Sequence, residues 1–430
     1  MKRLRVSREQ RVSFRRKLET LVEIGALIKI RGNRYGLPDL MRLVTGRIQV
    51  NPRGFGFVIP DREIEGLTGD LYIAGSNLNQ AIHGDRVVAR VERDRDPDRA
   101  EGRIVRIIER ATEKLVGRYE IDESGLGFVV PFDRRLIMDV HVPRGASGKA
   151  KPGEMVAAQL TRWPTTSRNP IGRVTQVLGD INEPGVDTRL IISKYDLPCA
   201  HDSEAVSEAR RLGSAIKPKD LLGRSDFRPL ATVTIDGATA RDFDDAITIE
   251  QRPNGAYWLG VHIADVAHYV PEGGALDAAA YERGTSVYFP ERAVHMFPDE
   301  LATGLCSLNP HVDRLVQSCF MEIDAQGEVV RYETHDGVIH SNARMTYAEV
   351  NAILTGVDSK VREQHEYLVP QFELMQELFS VLFERRKRRG SIDFDLPAAE
   401  FRVDDEGLVE AIVATERNVA HRIIEEFMLV

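Results

Sequence analysis

Asp236, Asp242, Asp244 and Asp245 fall within ten residues, and carboxylates held this close repel one another unless a cation balances them. A metal site is therefore the first expectation. All the donors are oxygens, which select hard cations such as Mg²⁺ or Mn²⁺, and Mg²⁺ commonly keeps waters that exchange for phosphate oxygens or a nucleophile. Phosphoryl chemistry is the natural use. The elements that must position these side chains are legible on either side, since Thr232-Val233-Thr234-Ile235 and Ala246-Ile247-Thr248-Ile249 alternate as strands do. The aspartates are expected on the loop between them.

Other acidic loops fit less well. A calcium loop counted from Asp236 would require ligands at Ala238, Ala240 and Ile247, and counted from Asp242 it would put Ile247 where the sharp turn needs glycine. An aspartyl-phosphate loop built on Asp242 and Asp244 lacks the apolar strand that should lead into it, because Gly237 to Arg241 come first. A solvated acidic turn stays open on these residues alone.

With 430 residues, 42% hydrophobic and 29% charged, the chain is long enough for several folded domains. No uninterrupted apolar stretch approaches the roughly 20 residues that span a bilayer, and no signal-peptide core follows the basic start. The expected location is cytoplasmic, with no membrane partner and no evident need for a protein partner. Cys199, Cys306 and Cys319 show no paired spacing, which argues against a zinc knuckle; they read as buried and inert. The formal net charge of −8 hides an asymmetry: residues 1–40 carry +7 and the rest −15. This basic front reads as a helix through Leu18, Leu21 and Ile24 followed by a hairpin that turns at Gly32-Asn33. Residues 1–40 thus resemble the remnant of a winged helix, with a solvated helix and ordinary hairpin as the plain alternative.

The chain then repeats itself. Gly46-Arg47-Ile48 answers Gly117-Arg118-Tyr119, and Gly54-Phe55-Gly56-Phe57 answers Gly125-Leu126-Gly127-Phe128, both at an offset of 71 residues. Asp70-Leu71-Tyr72-Ile73 answers Asp139-Val140-His141-Val142 at 69. Strand-length pieces between Gly, Pro and charged turns indicate a small antiparallel barrel used twice, over residues 44–92 and 113–178. Phe55 and Phe57 fall on one side of a strand, where they could stack bases. This arrangement resembles the cold-shock, or OB-type, RNA-binding domain. The second copy has Leu126 in place of the first aromatic, leaving Phe128 and Tyr119 to stack. Residues 179–222 read as a structured connector with a strand at Gly172 to Gly179 before it and a short helix from Asp202 to Leu212 within it.

Beyond the aspartates, Tyr257 to Ala264 continues as a strand after a turn at Pro253-Asn254-Gly255, and His262 to His268 reads as structural because it lacks the helical pairing of a zinc motif. Three stretches now carry a specific resemblance: Thr234 to Ala246 with its Arg241-Asp242-Phe243-Asp244-Asp245, Arg283-Gly284-Thr285-Ser286-Val287-Tyr288-Phe289-Pro290, and Leu305-Cys306-Ser307-Leu308-Asn309-Pro310. Residues 223–430 resemble the RNB catalytic domain of the ribonuclease R and ribonuclease II family, and the barrels and basic front ahead of them resemble ribonuclease R more than ribonuclease II.

The resemblance implies a multidomain α+β architecture and a processive, Mg²⁺-dependent hydrolase that shortens single-stranded RNA from a free 3′ end to nucleoside 5′-monophosphates. By motif, Asp236, Asp242, Asp244 and Asp245 would hold the metal and position water, and Arg241 would neutralise carboxylates or touch phosphate. Tyr288 and Phe394 would clamp terminal bases, and Tyr347 and Glu425 would favour ribose over deoxyribose. Without the resemblance, Tyr288 and Phe394 read as core aromatics, Tyr347 as a packing residue at a helix start, and Arg385 to Arg389 as cations closing a helix C-terminus. A noncatalytic RNA-binding or chaperone protein is the alternative function, and a deoxyribonuclease a third. A helical pattern through Val419, Ile423, Phe427 and Val430 stops without a cap. The chain is therefore expected to be cut inside its catalytic domain, short of a Ser-Pro-Ile-Arg type arginine and an S1 domain, and to turn over slowly or not at all by itself.

Overall fold

The two self-similar segments fold as two closed five-stranded barrels with the same circular strand order. The computed structural model describes residues 10–30, 34–38, 41–64, 67, 69–93, 100–393, 399–404, 408–414 and 417–430. It divides into two units, Met1–Leu197 and Pro198–Val430. In the first, helix α1 (Arg11–Glu23) and a hairpin of β1 (Ile28–Ile30) and β2 (Arg34–Gly36) precede the barrels. The hairpin turn at Gly32-Asn33 lies outside the described residues. Barrel one contains β3 (Leu43–Val50), β4 (Gly56–Pro60), β5 (Leu71–Ile73), β6 (Arg86–Arg93) and β7 (Glu101–Glu109), in the order β3-β4-β5-β7-β6. Barrel two contains β8 (Lys114–Ile121), β9 (Gly127–Pro131), β10 (Val140–Val142), β11 (Met155–Arg162) and β12 (Ile171–Gly179), in the order β10-β12-β11-β8-β9.

The repeated Gly-Arg pair has a steric cause. A Cβ on Gly46 would lie 2.0 Å from the Ile59 carbonyl oxygen, and one on Gly117 would lie 2.2 Å from that of Val130, so only glycine lets the first two strands of each barrel approach.

Three sequence expectations are corrected here. The first barrel takes its closing strand β7 from beyond residue 92, because a five-stranded ring needs a partner for both β5 and β6. Tyr119 is 5% exposed and packs in the core of barrel two with Val129 and Val156, so it is not available to stack. Residues 179–222 do not form one connector: α2 (Val186–Lys194) packs Val186 and Leu190 on Val116, Met155 and Leu178. By contrast, α3 (Ser203–Leu212) buries Ala205 and Ala209 in the second unit.

That second unit is built on a seven-stranded sheet of order β13-β20-β19-β16-β15-β14-β21. In chain order its elements are β13 (Ser225–Asp226), β14 (Thr232–Asp236), β15 (Asp245–Gln251), β16 (Tyr257–Ala264), α4 (Val266–Tyr269), α5 (Ala275–Arg283) and the two short strands β17 (Val287–Tyr288) and β18 (Ala293–Val294). There follow β19 (Asp313–Ile323), β20 (Val329–His340), β21 (Ala343–Thr346), α6 (Tyr347–Thr355), α7 (Ser359–Gln364), α8 (Val369–Arg388), β22 (Ala399–Val403), β23 (Val409–Ala414) and α9 (Val419–Leu429). One face of the sheet presents Val233, Ile235, Ile247, Leu259 and Met321 to α6, α8 and α9, where Phe372 and Phe427 are almost fully buried. In the last turn of α8, Arg385 pairs with Glu328 and Arg386 with Glu426, in keeping with the plain reading of that basic run.

The opposite face carries buried polar groups, among which Thr232, Thr248, His262 and Ser318 satisfy one another. His262 bonds Ser318 Oγ at 2.8 Å through Nδ1 and Thr248 Oγ1 at 3.0 Å through Nε2. Burial holds its pKa down to about 4 from an ordinary 6.5. The folded state therefore binds this proton later than the unfolded chain as pH falls. The stability linked to His262 is complete above about pH 6.5 and is lost on acidification toward 4, a loss of about 3 kcal/mol. Urea denaturation at about pH 7.5 and about pH 4.5 is expected to show a larger drop for the unaltered protein than for His262→Gln; equal drops would refute the assignment. The neighbouring His262–His268 stretch is structural as expected: Asp265 and Arg224 form an ion pair of 2.5 Å with side chains 5% and 9% exposed, and Asp265 Oδ1 accepts the His268 backbone N–H.

Candidate active site

The four aspartates sit at one end of the β14–β15 pair, with Asp236 closing β14 and Asp245 opening β15. What shapes the loop between them is Phe243, which is 5% exposed and buried among Ala246, Leu305 and Leu308. Phe243 is turned into the core, while Asp242 beside it is half-buried and Asp244 exposed. The Leu305–Pro310 motif pins this arrangement: Ser307 Oγ accepts from Phe243 N–H at 3.0 Å and donates to the Arg241 carbonyl at 2.9 Å. Leu308 N–H reaches the Phe243 carbonyl at 2.8 Å. Buried Arg314 in turn donates to the carbonyls of Ser307 and Gly304.

The electrostatics follow from this crowding. Desolvation, then the charge of Asp245, pushes Asp236 up to about 7, against the opposing pull of Arg344. Asp244 is raised by desolvation and Asp242, and Asp245 by desolvation and Asp244. Asp236 Oδ2 is buried and has no hydrogen-bond partner. Asp242 Oδ2 accepts the Tyr288 hydroxyl at 2.5 Å and lies 3.8 Å from His295 Nδ1.

A cleft of about 840 Å³ opens beside the loop, lined by Arg241, Asp242, Tyr288, Arg292, His295 and Arg344 among others. Arg344 donates to the carbonyls of Gly237 and Ala238 at 2.7 and 2.8 Å and lies over the Phe243 ring. Tyr288 is 62% exposed, which overturns its reading as a core aromatic, and Cys199 is exposed beside Arg292 rather than buried. Arg283 and Ser286 of the second motif fix the backbone around the β17–β18 hairpin through Pro198, Ala200 and Met296. Tyr347 stacks on His421 at 3.9 Å. Burial, then the charges of Asp236, Asp245 and Glu425, raises its pKa to about 12, so Tyr347 stands within electrostatic reach of both the aspartates and Glu425. Glu425 is held by Arg417. Phe394 lies outside the described residues.

Among the described residues, no three His, Cys, Asp or Glu side chains are gathered closely enough to hold a metal ion. The donor chemistry nonetheless fits a hard divalent cation: the four groups are all carboxylates, three are destabilised as anions, and one buried oxygen lacks a partner. Arg344 and His295 are the residues that sequence reasoning missed. Neither belongs to a motif that announces the loop, and only the parallel pairing of β21 with β14 and the fold of the β17–β18 hairpin bring them to it.

In the first unit, Phe55, Phe57 and Tyr72 make a trio on barrel one with ring centroids 5.7 to 5.8 Å apart. Phe57 is 38% exposed. Tyr72 joins because β4 pairs Phe57 with it directly. The corresponding positions in barrel two are Leu126, partly exposed Phe128 and His141, and Phe128 pairs with His141.

An RNB domain model matches residues 224–430, a cold shock domain model residues 128–201, and a ribonuclease B OB domain model residues 46–107. Ribonuclease R of Acidithiobacillus ferrooxidans is 39% identical over 393 residues, covering 91% of this chain and 88% of that protein. Ribonuclease R of Escherichia coli (strain K12) is 38% identical over 421 residues, covering 98% of this chain and 51% of that protein. The chain thus spans about half the length of the Escherichia coli relative and of its Vibrio parahaemolyticus counterpart. A solved Mycoplasma genitalium RNase R in complex with ribose-methylated single-stranded RNA superposes with a TM-score of 0.80 at 25% identity, covering 90% of this chain and 60% of that one. Yeast Ssd1, a pseudonuclease, shares the fold with a TM-score of 0.65 at 18% identity, over 90% of this chain and 53% of that one. With the aspartate loop and the two barrels, these likenesses establish that the chain belongs to the ribonuclease R family of RNB-domain proteins.

Proposed function

We propose that this protein is a 3′-to-5′ exoribonuclease that hydrolyses single-stranded RNA processively to nucleoside 5′-monophosphates in the cytoplasm. The observation that carries the reading is the loop of four mutually repelling carboxylates, one of which, Asp242, lines a cleft together with Arg241, Arg292 and Arg344. Asp236, Asp242, Asp244 and Asp245 would hold Mg²⁺ or Mn²⁺. A bound divalent ion there supplies Lewis-acid polarisation of a phosphoryl oxygen and a more acidic water. The arginines favour a phosphodiester by charge, and the exposed Tyr288 ring offers a face for a terminal base. Tyr347 and Glu425 provide a polar pair suited to a 2′-hydroxyl.

Incubating a 3′-tailed RNA with and without chelator tests the reading. Mononucleotide release that chelator stops supports it, unchanged RNA that is nonetheless bound favours a noncatalytic RNA-binding protein, and equal loss of matched DNA favours a deoxyribonuclease. The noncatalytic reading draws on one observation, that Asp242 is engaged by the Tyr288 hydroxyl.

The barrels support single-strand binding through stacking. Phe57→Ala is expected to weaken binding of an oligoadenylate RNA by about 1–3 kcal/mol, read by fluorescence anisotropy. Phe128→Ala should cost less, because its neighbours are Leu126 and His141 rather than two aromatic rings.

A further inference from the structure

The outward side of β9 continues beyond Phe128. Val129 packs in the core of barrel two, so by alternation Phe128 and Val130 point out. The register runs one residue past the strand, because the Phe132 N–H bonds the Val116 carbonyl at 2.9 Å. Phe132 therefore joins Phe128 on the outer side, about 13 Å farther along, and is 45% exposed. Helix α2 lies on this same side, packed over Val116. Its C-terminal end brings a second ring, since Tyr195 follows Lys194, the last residue of the helix, and is 63% exposed. The Lys194 ammonium lies 5.7 Å from the Phe132 ring centroid and 5.2 Å from that of Tyr195. Three carboxylates nearby are each held by another cation: Glu120 by Arg118 at 2.6 Å, Asp133 by Arg135 at 2.6 Å and Asp196 by Lys114 at 3.0 Å. Among the described residues no ion pair holds Lys194, so two accessible rings share one uncompensated positive charge.

We propose, building on the reading of the barrels as single-strand binders, that Phe132, Lys194 and Tyr195 form a base-stacking platform for single-stranded RNA that continues the strip begun by Phe128. Barrel one gathers its rings in one place, the trio of Phe55, Phe57 and Tyr72. Barrel two lacks that trio, and its aromatic surface is instead spread along β9 and completed by the end of α2. Every base has a π-face, so either accessible ring accepts a base whatever its identity. The ammonium between them meets a phosphate that links successive bases. Packing alone would bury such rings; here Lys194 sits over both of them while they stay accessible. Alternation of aromatic and cationic side chains is what sequence-tolerant binding of a single strand requires.

Fluorescence anisotropy of the full chain with labelled oligoadenylate and oligouridylate RNAs tests the proposal. Phe132→Ala and Tyr195→Ala are each expected to weaken binding of both RNAs by ~5-fold or more, whereas Phe132→Trp and Tyr195→Phe keep the unaltered affinity. Lys194→Met should flatten the slope of log affinity against log salt by about 0.7, the value of one single-strand phosphate contact. Ultraviolet irradiation of the unaltered chain bound to RNA carrying 5-iodouridine, followed by peptide mass spectrometry, should place a crosslink on Phe132 or Tyr195. That readout needs no variant to fold, and a purely packing role would not produce it. The platform is overturned if the two alanine variants bind as the unaltered chain does, if the salt slope of Lys194→Met is unchanged, or if crosslinks avoid both rings. In any of those cases, weaker binding by Phe57→Ala leaves the barrels as single-strand binders without this platform. An unaltered chain that binds neither RNA overturns both.

Discussion

Asp244→Asn is expected to lower chelator-sensitive mononucleotide release by about 10²–10³-fold while leaving affinity for single-stranded RNA within about three-fold, because on the proposed reading the substitution removes charge that would act on the reacting phosphate and leaves the stacking surfaces alone. Single-turnover release from an end-labelled RNA, alongside filter binding, reads the two quantities separately. A second readout distinguishes lost chemistry from lost fold. Asp244 is held against its neighbour Asp242 in a partly desolvated loop, so replacing it with a neutral isostere relieves repulsion when no divalent ion is present. The variant should therefore unfold later than the unaltered protein in chelator, the usual pattern for groups kept for activity at the expense of stability. Trimming at the unaltered rate would remove the aspartates from the reaction.

Asp265→Ala is expected to destabilise the second unit by about 3–5 kcal/mol in urea, with no carboxylate lost from the aspartate loop. Its partner Arg224 donates through Nη2 at 2.5 Å, and both side chains are nearly inaccessible. Deleting the carboxylate strands a buried guanidinium and also removes the acceptor that caps α4 at His268. Replacing both partners at once with apolar residues, Arg224→Met with Asp265→Leu, should recover most of the loss, because the cost lies in the unpaired charge rather than in the absent pair. A cost under about 1 kcal/mol for Asp265→Ala alone would show that water reaches the guanidinium.

The two substitutions mark different levels of legibility. Asp244 declares itself in the sequence because like charges in adjacent positions have few uses, and the β-branched alternation around it requires nothing beyond local backbone preference. The barrel repeat is legible for the same reason: turns, strand lengths and the glycine at each close crossing are local requirements copied twice. Asp265 shows no such sign. It reads as one carboxylate in a histidine-containing strand end, and only the return of residue 224 to the start of β13 makes it half of a buried ion pair.

By itself, then, the order of residues determined the acidic loop, its two flanking strands, the doubled barrel and the chemistry of the donors. The tertiary structure decided which groups share the loop's surroundings. Arg344 arrives through the parallel pairing of β21 with β14, and Tyr288 and His295 through the β17–β18 hairpin. Barrel closure sent Tyr119 inward and recruited β7 from past the expected boundary. Those outcomes depend on strand register between distant segments, and register is set by burying whole faces at once rather than by any residue's own preference.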